Sequence, residues 1–206
     1  MGHQRMNYFI YAIFLFFILG TTQSCTYSRK FTQNYYRENE VTIQSINRRF
    51  AELYDRNPFS LELKDRKLNR IGMEIHTDSI KYIYTFRTDE PFLLDTLYKY
   101  HYDVKALSVL INDMQAAHCT WITNLDYYEK GKRKYLVFIS VRDKKLEAFL
   151  QPEKYFTLAI FDEPQPYDER GRLLDKENLK QMRKINGGVF RRINDKVFFA
   201  LSKQFR

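Results

Sequence analysis

Residues Ile80 to Arg87 alternate without a break, with Ile80, Tyr82, Tyr84 and Phe86 set against Lys81, Ile83, Thr85 and Arg87. A period of two sends successive side chains to opposite faces, so such a run fits a half-buried antiparallel strand and not a helix. β-branched and aromatic residues dominate it, as they do on pleated surfaces. Asp78-Ser79 is a turn signal, and before it Arg70 to Thr77 places Ile71, Met73 and Ile75 on one face. Phe59 to Leu63 alternates more weakly. The simplest construction is a three-stranded meander over residues 59–87.

The rest of the chain adds helices and more strands. Tyr36, Asn39, Ile43, Ile46, Phe50 and Leu53 recur at spacings of 3, 4, 3, 4 and 3, which predicts one apolar helical face over residues 34–54. Asp55-Arg56-Asn57-Pro58 stops that helix, because the residue before proline avoids the helical region. A coiled-coil seam is the rival for this face, but Asn39 in the stripe favours packing on the chain's own sheet. Glu90-Pro91 fits a helix start, whereas LLDTLYKYHY also reads as an extended aromatic segment, so residues 88–102 stay open between helix and strand. Asp103 is an N-cap for a clearer helix carrying Val104, Leu107, Leu110, Ile111 and Met114 on one face. Trp121–Tyr128 and Lys134–Arg142 predict a hairpin, with Trp121, Leu125, Tyr135, Val137, Ile139 and Val141 inward. Tyr155–Phe161 is a further strand, and Asp162–Gly171 is a loop dense in turn formers. Asp175 caps a short helix to about Ile185, with Leu174 and Leu179 placed as a hydrophobic staple and Gly187 after its end. Val189–Ile193 and Val197–Phe205 predict a last hairpin, in which Val197, Phe199, Leu201 and Phe205 share a face. The expected fold class is α+β: a mostly antiparallel sheet with an N-terminal amphipathic helix and two further helices. The strand-strand-strand-helix blocks at 59–117 and 119–185 have the form of a degenerate duplication, with no residue-level repeat behind it.

Ahead of this domain lies YFIYAIFLFFILGTTQSC, Tyr8 to Cys25. Its apolar core ends at Leu19, short of the roughly 20 residues that span a bilayer. That length suits a signal-peptide core, with His3 and Arg5 as the positive flank. Ser24-Cys25 after such a core resembles the lipobox of bacterial lipoproteins. The common pattern has Leu three residues before the cysteine and Ala, Ser or Thr two before; here those places hold Thr22 and Gln23. This looser form is similar to that of Bacteroidetes-like lineages. The resemblance implies lipidation of the Cys25 thiol and cleavage before it, and it covers only the first 25 residues. It divides the chain into a lipoprotein signal peptide (1–24), a tether (25–33) and a single α+β domain (34–206). More than one acyl chain on Cys25 gives stable attachment where a single chain is marginal. No Asp follows the cysteine and no acidic cluster stands near it, so the sorting rules place the anchor in the outer membrane, facing the periplasm. The expected partners are that membrane and one or more envelope proteins.

Lys and Arg number 34 against 25 Asp and Glu, a net charge of +9. A basic surface is one signature of nucleic-acid binding, but these cations are scattered and the address is extracytoplasmic, so no nucleic acid is expected. Anionic headgroups, acidic wall polymers or an acidic protein suit it better. With Cys25 lipidated, only Cys119 remains, and a lone thiol in an oxidising compartment is usually a buried small hydrophobe. His118 beside it points elsewhere, since neighbouring residues do not share a face. Glu74, His76 and Asp78 stand at metal-ligand spacing on one strand face, yet opposite Ile71, Met73 and Ile75, where solvent belongs. Asp162-Glu163 and Asp168-Glu169 offer paired carboxylates for glycan chemistry. Turn formers and Arg170 and Arg172 surround them, which disfavours a proton-donating acid. Tyr35-Tyr36, Tyr127-Tyr128 and Tyr98–Tyr102 are candidate platforms for sugars or proteins. Neither a phosphate-cradling loop nor a hydrolase or metalloprotease motif occurs. No catalytic residue, metal or cofactor is therefore predicted. The expected function is a non-enzymatic binding or assembly component of an envelope complex for secretion, transport or surface assembly. The alternative is a periplasmic enzyme or carbohydrate-binding module acting on envelope glycans.

Overall fold

The strand signals of residues 59–87 become the first half of a single large sheet. A computed structural model describes residues 33–65, 67–77, 80–129, 132–142, 155–174 and 189–202. Cys25, Asp78, Phe205 and the helix expected over Asp175–Ile185 lie outside these residues. Two units are distinguished, Met1–Asn39 and Glu40–Arg206. In the first, residues 33–39 are helical, and the Asn39 amide donates to the Tyr35 carbonyl at 2.9 Å.

In the second unit a helix α1 covers residues 40–56 and buries Ile43, Ile46, Phe50 and Leu53. The strands follow as β1 (Phe59–Leu63), β2 (Arg70–His76) and β3 (Lys81–Arg87). Helices α2 (Pro91–Lys99) and α3 (Val104–Ala116) come next, then β4 (Cys119–Glu129), β5 (Lys132–Arg142), β6 (Tyr155–Phe161), β7 (Arg191–Arg192) and β8 (Val197–Ser202). They form an eight-stranded sheet in the order β3-β2-β1-β4-β5-β6-β8-β7, with antiparallel pairing throughout. The fold class is α+β.

The open segment 88–102 resolves as helix α2. Pro91 takes its first position, where its missing N–H costs nothing. Asp103 caps α3 by accepting from the Ala106 amide at 2.9 Å. Because β3 is an edge and β4 lies beside β1, the chain must cross one face of the meander between them, and α2 and α3 make that crossing. The same face carries α1. Phe50 of α1 meets Phe59 of β1 edge-on at 5.1 Å, and Phe59 meets Tyr102 at 5.4 Å. Asp113 of α3 accepts from Ser45 at 3.3 Å and pairs with Arg49 at 3.4 Å. A helix therefore precedes each run of three strands on a common face, α1 before β1–β3 and α3 before β4–β6. The two runs of three strands meet at the β1–β4 pair, while the helix that would close the second strand-strand-strand-helix block lies outside the described residues.

The opposite face has its own core. Trp121, Tyr127, Leu136, Phe138, Ala159, Phe161, Phe198 and Ala200 pack there with Leu173 and Phe190 from the segments after β6. Strands β5, β6 and β8 are thus buried on both faces, and continuous apolar runs such as Tyr155–Phe161 are the expected signature. The hairpin's inward set needs correction on this account. Trp121 and Leu125 face one core, Val137, Ile139 and Val141 face the other, and Tyr135 is exposed. A bulge at Thr120 shifts the β4–β5 register between Cys119 and Trp121, and the Thr120 hydroxyl donates to the Ser140 carbonyl. No helix among the described residues is long and apolar enough to cross a membrane.

Candidate functional site

The sequence candidates among the described residues each have a definite place. Cys119 is fully buried, and burial pushes its thiol up to about 12, so it is a core residue. Glu74 pairs with Lys81 at 3.0 Å and stands 3.7 Å from His76. The face is partly buried rather than freely solvated. Burial pushes the His76 imidazolium below its ordinary range; Lys81 acts in the same direction and Glu74 opposes both. Among the described residues no group of three or more His, Cys, Asp or Glu is placed to hold a metal.

The loop carboxylates are engaged separately. Glu163 pairs with Lys134. Asp168 accepts from the Arg170 and Arg172 amides at 3.0 and 2.7 Å and from the Arg172 guanidinium at 2.6 Å. Those Arg172 bonds lead the causes that hold its carboxyl low. It organises a turn in which Gly171 adopts φ +70°, a conformation only glycine takes freely. Asp162 lies in a cleft of about 440 Å³ with Gln44, Asn47, Asn194, Asp195 and Lys196. Burial pushes its carboxyl up, with Lys196 pulling the other way. The pairing expected for glycan hydrolysis is therefore not assembled by these loop residues.

The aromatic candidates divide. Tyr36, Tyr102 and Tyr127 are buried, Tyr102 and Tyr127 with ring partners in the two cores. Tyr98 is 67% exposed. Tyr100 joins Tyr82 and Tyr84, two residues of the alternating run in β3. The Tyr84 and Tyr100 hydroxyls stand 2.8 Å apart. That hydrogen bond leads the causes raising the Tyr100 phenol to about 12. Tyr82, Tyr84 and Phe86 run as a ladder with centroids 6.5 and 5.7 Å apart, and Phe92 of α2 extends it at 5.8 Å from Phe86. Phe92, Leu94 and Ile80 are exposed along with Tyr82 and Ile83.

A polar cleft of about 580 Å³ opens beside the other end of β3, lined by Asp65, Lys67, Asn69, Arg70, Thr85, Phe86, Arg87 and Glu90. Arg87 forms a two-pronged pair with Asp89 at 3.0 and 3.2 Å. The candidate site is therefore the β3–α2 margin: an aromatic and aliphatic surface with cations at its rim. Alternation points to the ladder's residues, but only the edge position of β3 shows a gradient along it, from exposed Tyr82 through partly buried Tyr84 to buried Phe86. No protein-family model, curated protein or solved structure matches this chain, so its function must be argued from this chemistry.

Proposed function

We propose that this chain is a lipid-anchored component of a bacterial envelope, held through Cys25 in the outer membrane and facing the periplasm. Its α+β domain binds another envelope protein as a non-enzymatic part of a secretion, transport or surface-assembly complex. The observation that carries this reading is the β3–α2 margin. Large apolar side chains in one exposed patch are a protein-interaction signature, and Tyr and Phe beside Arg match the composition of interface cores. Ile80, Tyr82, Ile83, Phe92, Leu94 and Tyr98 are all exposed within one short stretch of chain, with Ile83 on the face of β3 opposite Tyr82. The glycan-directed alternative draws less support, because Glu163 and Asp168 are each tied to a different cation.

The test is crosslinking in intact envelopes followed by mass identification, comparing wild type with a Phe92→Ser/Tyr98→Ser variant. Tyr98 and Phe92 are 67% and 55% exposed and neither is a core residue, so the fold survives their loss. The reading requires one or more envelope proteins captured by wild type and lost with the variant. An unchanged capture pattern excludes this margin as the binding surface.

A further inference from the structure

The edge of β3 has a hydrogen-bonding frame that is complementary to itself. Thr77 N donates to Ile80 O at 3.0 Å and Thr88 N to Asn69 O at 2.9 Å. With the β2–β3 register, these bonds fix which residues face inward. Tyr82, Tyr84 and Phe86 bond to β2, while the backbone N–H and C=O groups of Lys81, Ile83, Thr85 and Arg87 point away from the sheet. Arg87 is closed off: its N–H donates to the Glu90 carboxylate at 3.0 Å, and its carbonyl accepts from Glu90 N at 3.1 Å. Lys81, Ile83 and Thr85 are left, a window centred on Ile83. Among the described residues β3 has one sheet neighbour. The opposite edge, by contrast, is the two-residue β7, partly covered through the Arg172–Arg191 bridge. Open edges of this kind are templates for further pairing.

We propose that β3 pairs antiparallel with β3 of a second copy about a two-fold axis at Ile83, joining the two sheets into one. In this register Ile83 faces Ile83 of the second copy, and Lys81 faces the second copy's Thr85 in both directions. Every outward N–H and C=O in the window is used. On the other face Tyr82 lies opposite the second copy's Tyr84, an aromatic cross-strand pair of the favoured kind. The charges select this register over the one centred on Tyr84. An axis at Tyr84 sets Lys81 opposite Arg87 at both ends, a like-charge arrangement that also asks the closed Arg87 frame to pair. An axis at Ile83 avoids both. Ile83 is 65% exposed and Ile80 54%, so pairing covers apolar surface that is otherwise in water. The inference deepens the envelope reading and rests on it in one respect: an edge window of this length is a small interface, and confinement on a membrane raises the effective concentration that lets it form.

The test uses the full chain in its own envelope. A hydrogen-bonded antiparallel pair holds its Cα atoms about 5.5 Å apart, inside the roughly 4.4–6.8 Å a disulfide accepts. Ile83→Cys therefore yields a covalent dimer on mild oxidation. Lys81→Cys alone does not, since four residues of offset separate the two sites by roughly 14 Å. Lys81→Cys mixed with Thr85→Cys does. Wild type, retaining Cys25 and Cys119, supplies the background. A second measurement, energy transfer between labelled copies reconstituted in lipid vesicles, reads association for wild type and none for Ile83→Lys, which sets like charges across the axis. Absence of the Ile83→Cys dimer, or equal crosslinking by Lys81→Cys alone, overturns the proposal. Capture by Ile83→Cys of a different envelope protein instead overturns self-pairing and leaves the envelope reading standing. Dimerisation of a chain that fractionates as soluble does the reverse.

Discussion

Phe59 joins three elements, and removing its ring measures whether α1 seals the helix-covered face of the sheet. The side chain is fully buried on β1, with Phe50 of α1 at 5.1 Å and Tyr102, on the approach to α3, at 5.4 Å. Phe59→Ala removes the ring and leaves a cavity bounded by a helix and a strand that cannot both collapse. Such truncations cost about 3–5 kcal/mol, a large part of the roughly 5–15 kcal/mol that holds a typical domain together. At about 2–4 °C per kcal/mol for a chain of this size, the melting temperature falls by roughly 6–20 °C. Phe59→Leu keeps most of the volume and costs under about 1.5 kcal/mol. Urea titration is the assay, with the midpoint shifting while the slope stays constant. A double-mutant cycle between Phe50→Leu and Phe59→Leu isolates the ring pair, which is worth about 0.5–1.5 kcal/mol. A Phe59→Ala loss below about 1 kcal/mol is incompatible with a close-packed site. Zero coupling in the cycle refutes the packing of α1 on β1.

Three further outcomes follow from buried or constrained groups. The Cys119 thiol, raised by burial to about 12, resists alkylation at pH 8 in the native protein and reacts once urea unfolds it. Native reactivity at the rate of an exposed thiol contradicts its place in the core. His76 has a folded pKa below its ordinary value because of burial and Lys81. Unfolding therefore takes up a proton as pH falls below about 6.5, and stability declines from there toward the lower folded value. In His76→Gln that part of the slope disappears from pH-dependent urea midpoints, and an unchanged slope counts against it. Gly171→Ala places a Cβ at φ +70° and costs on the order of 1 kcal/mol; a stabilised variant refutes the turn geometry around Asp168.

Local pattern carried the elements further than it carried their neighbours. The strands at 59–63, 70–76 and 81–87 stand where alternation and the Asp78-Ser79 signal put them, because a half-buried strand writes its environment into every second residue. Strands β5 and β6 are covered on both faces, and there alternation vanishes. Leu136 and Phe138 give no alternating signal for that reason, and Tyr135 reads as inward although it is exposed. For residues 88–102 propensity was balanced, and the choice fell to Leu93 and Leu97, one helical turn apart and both buried. The candidate margin is harder still to read. Tyr82 and Tyr84 have the same local signature as the buried Ile71 and Met73, and what leaves Tyr82 exposed and Tyr84 partly so is the place of β3 at the edge of the sheet among the described residues. That is a property of topology, set when β4 pairs with β1. The metal-like spacing of Glu74 and His76 is legible, but the solvated face expected for it is partly buried, with Lys81 of the adjacent strand paired to Glu74.

Lipidation of Cys25 is tested most directly by the mass of the N-terminal peptide of the protein purified from membranes, alongside Cys25→Ala. The expected result is a chain that begins at Cys25 and carries acyl groups, with the alanine variant released from the outer membrane and no longer crosslinked to envelope partners. A mature protein with an unmodified Cys25, or one still carrying residues 1–24, contradicts it.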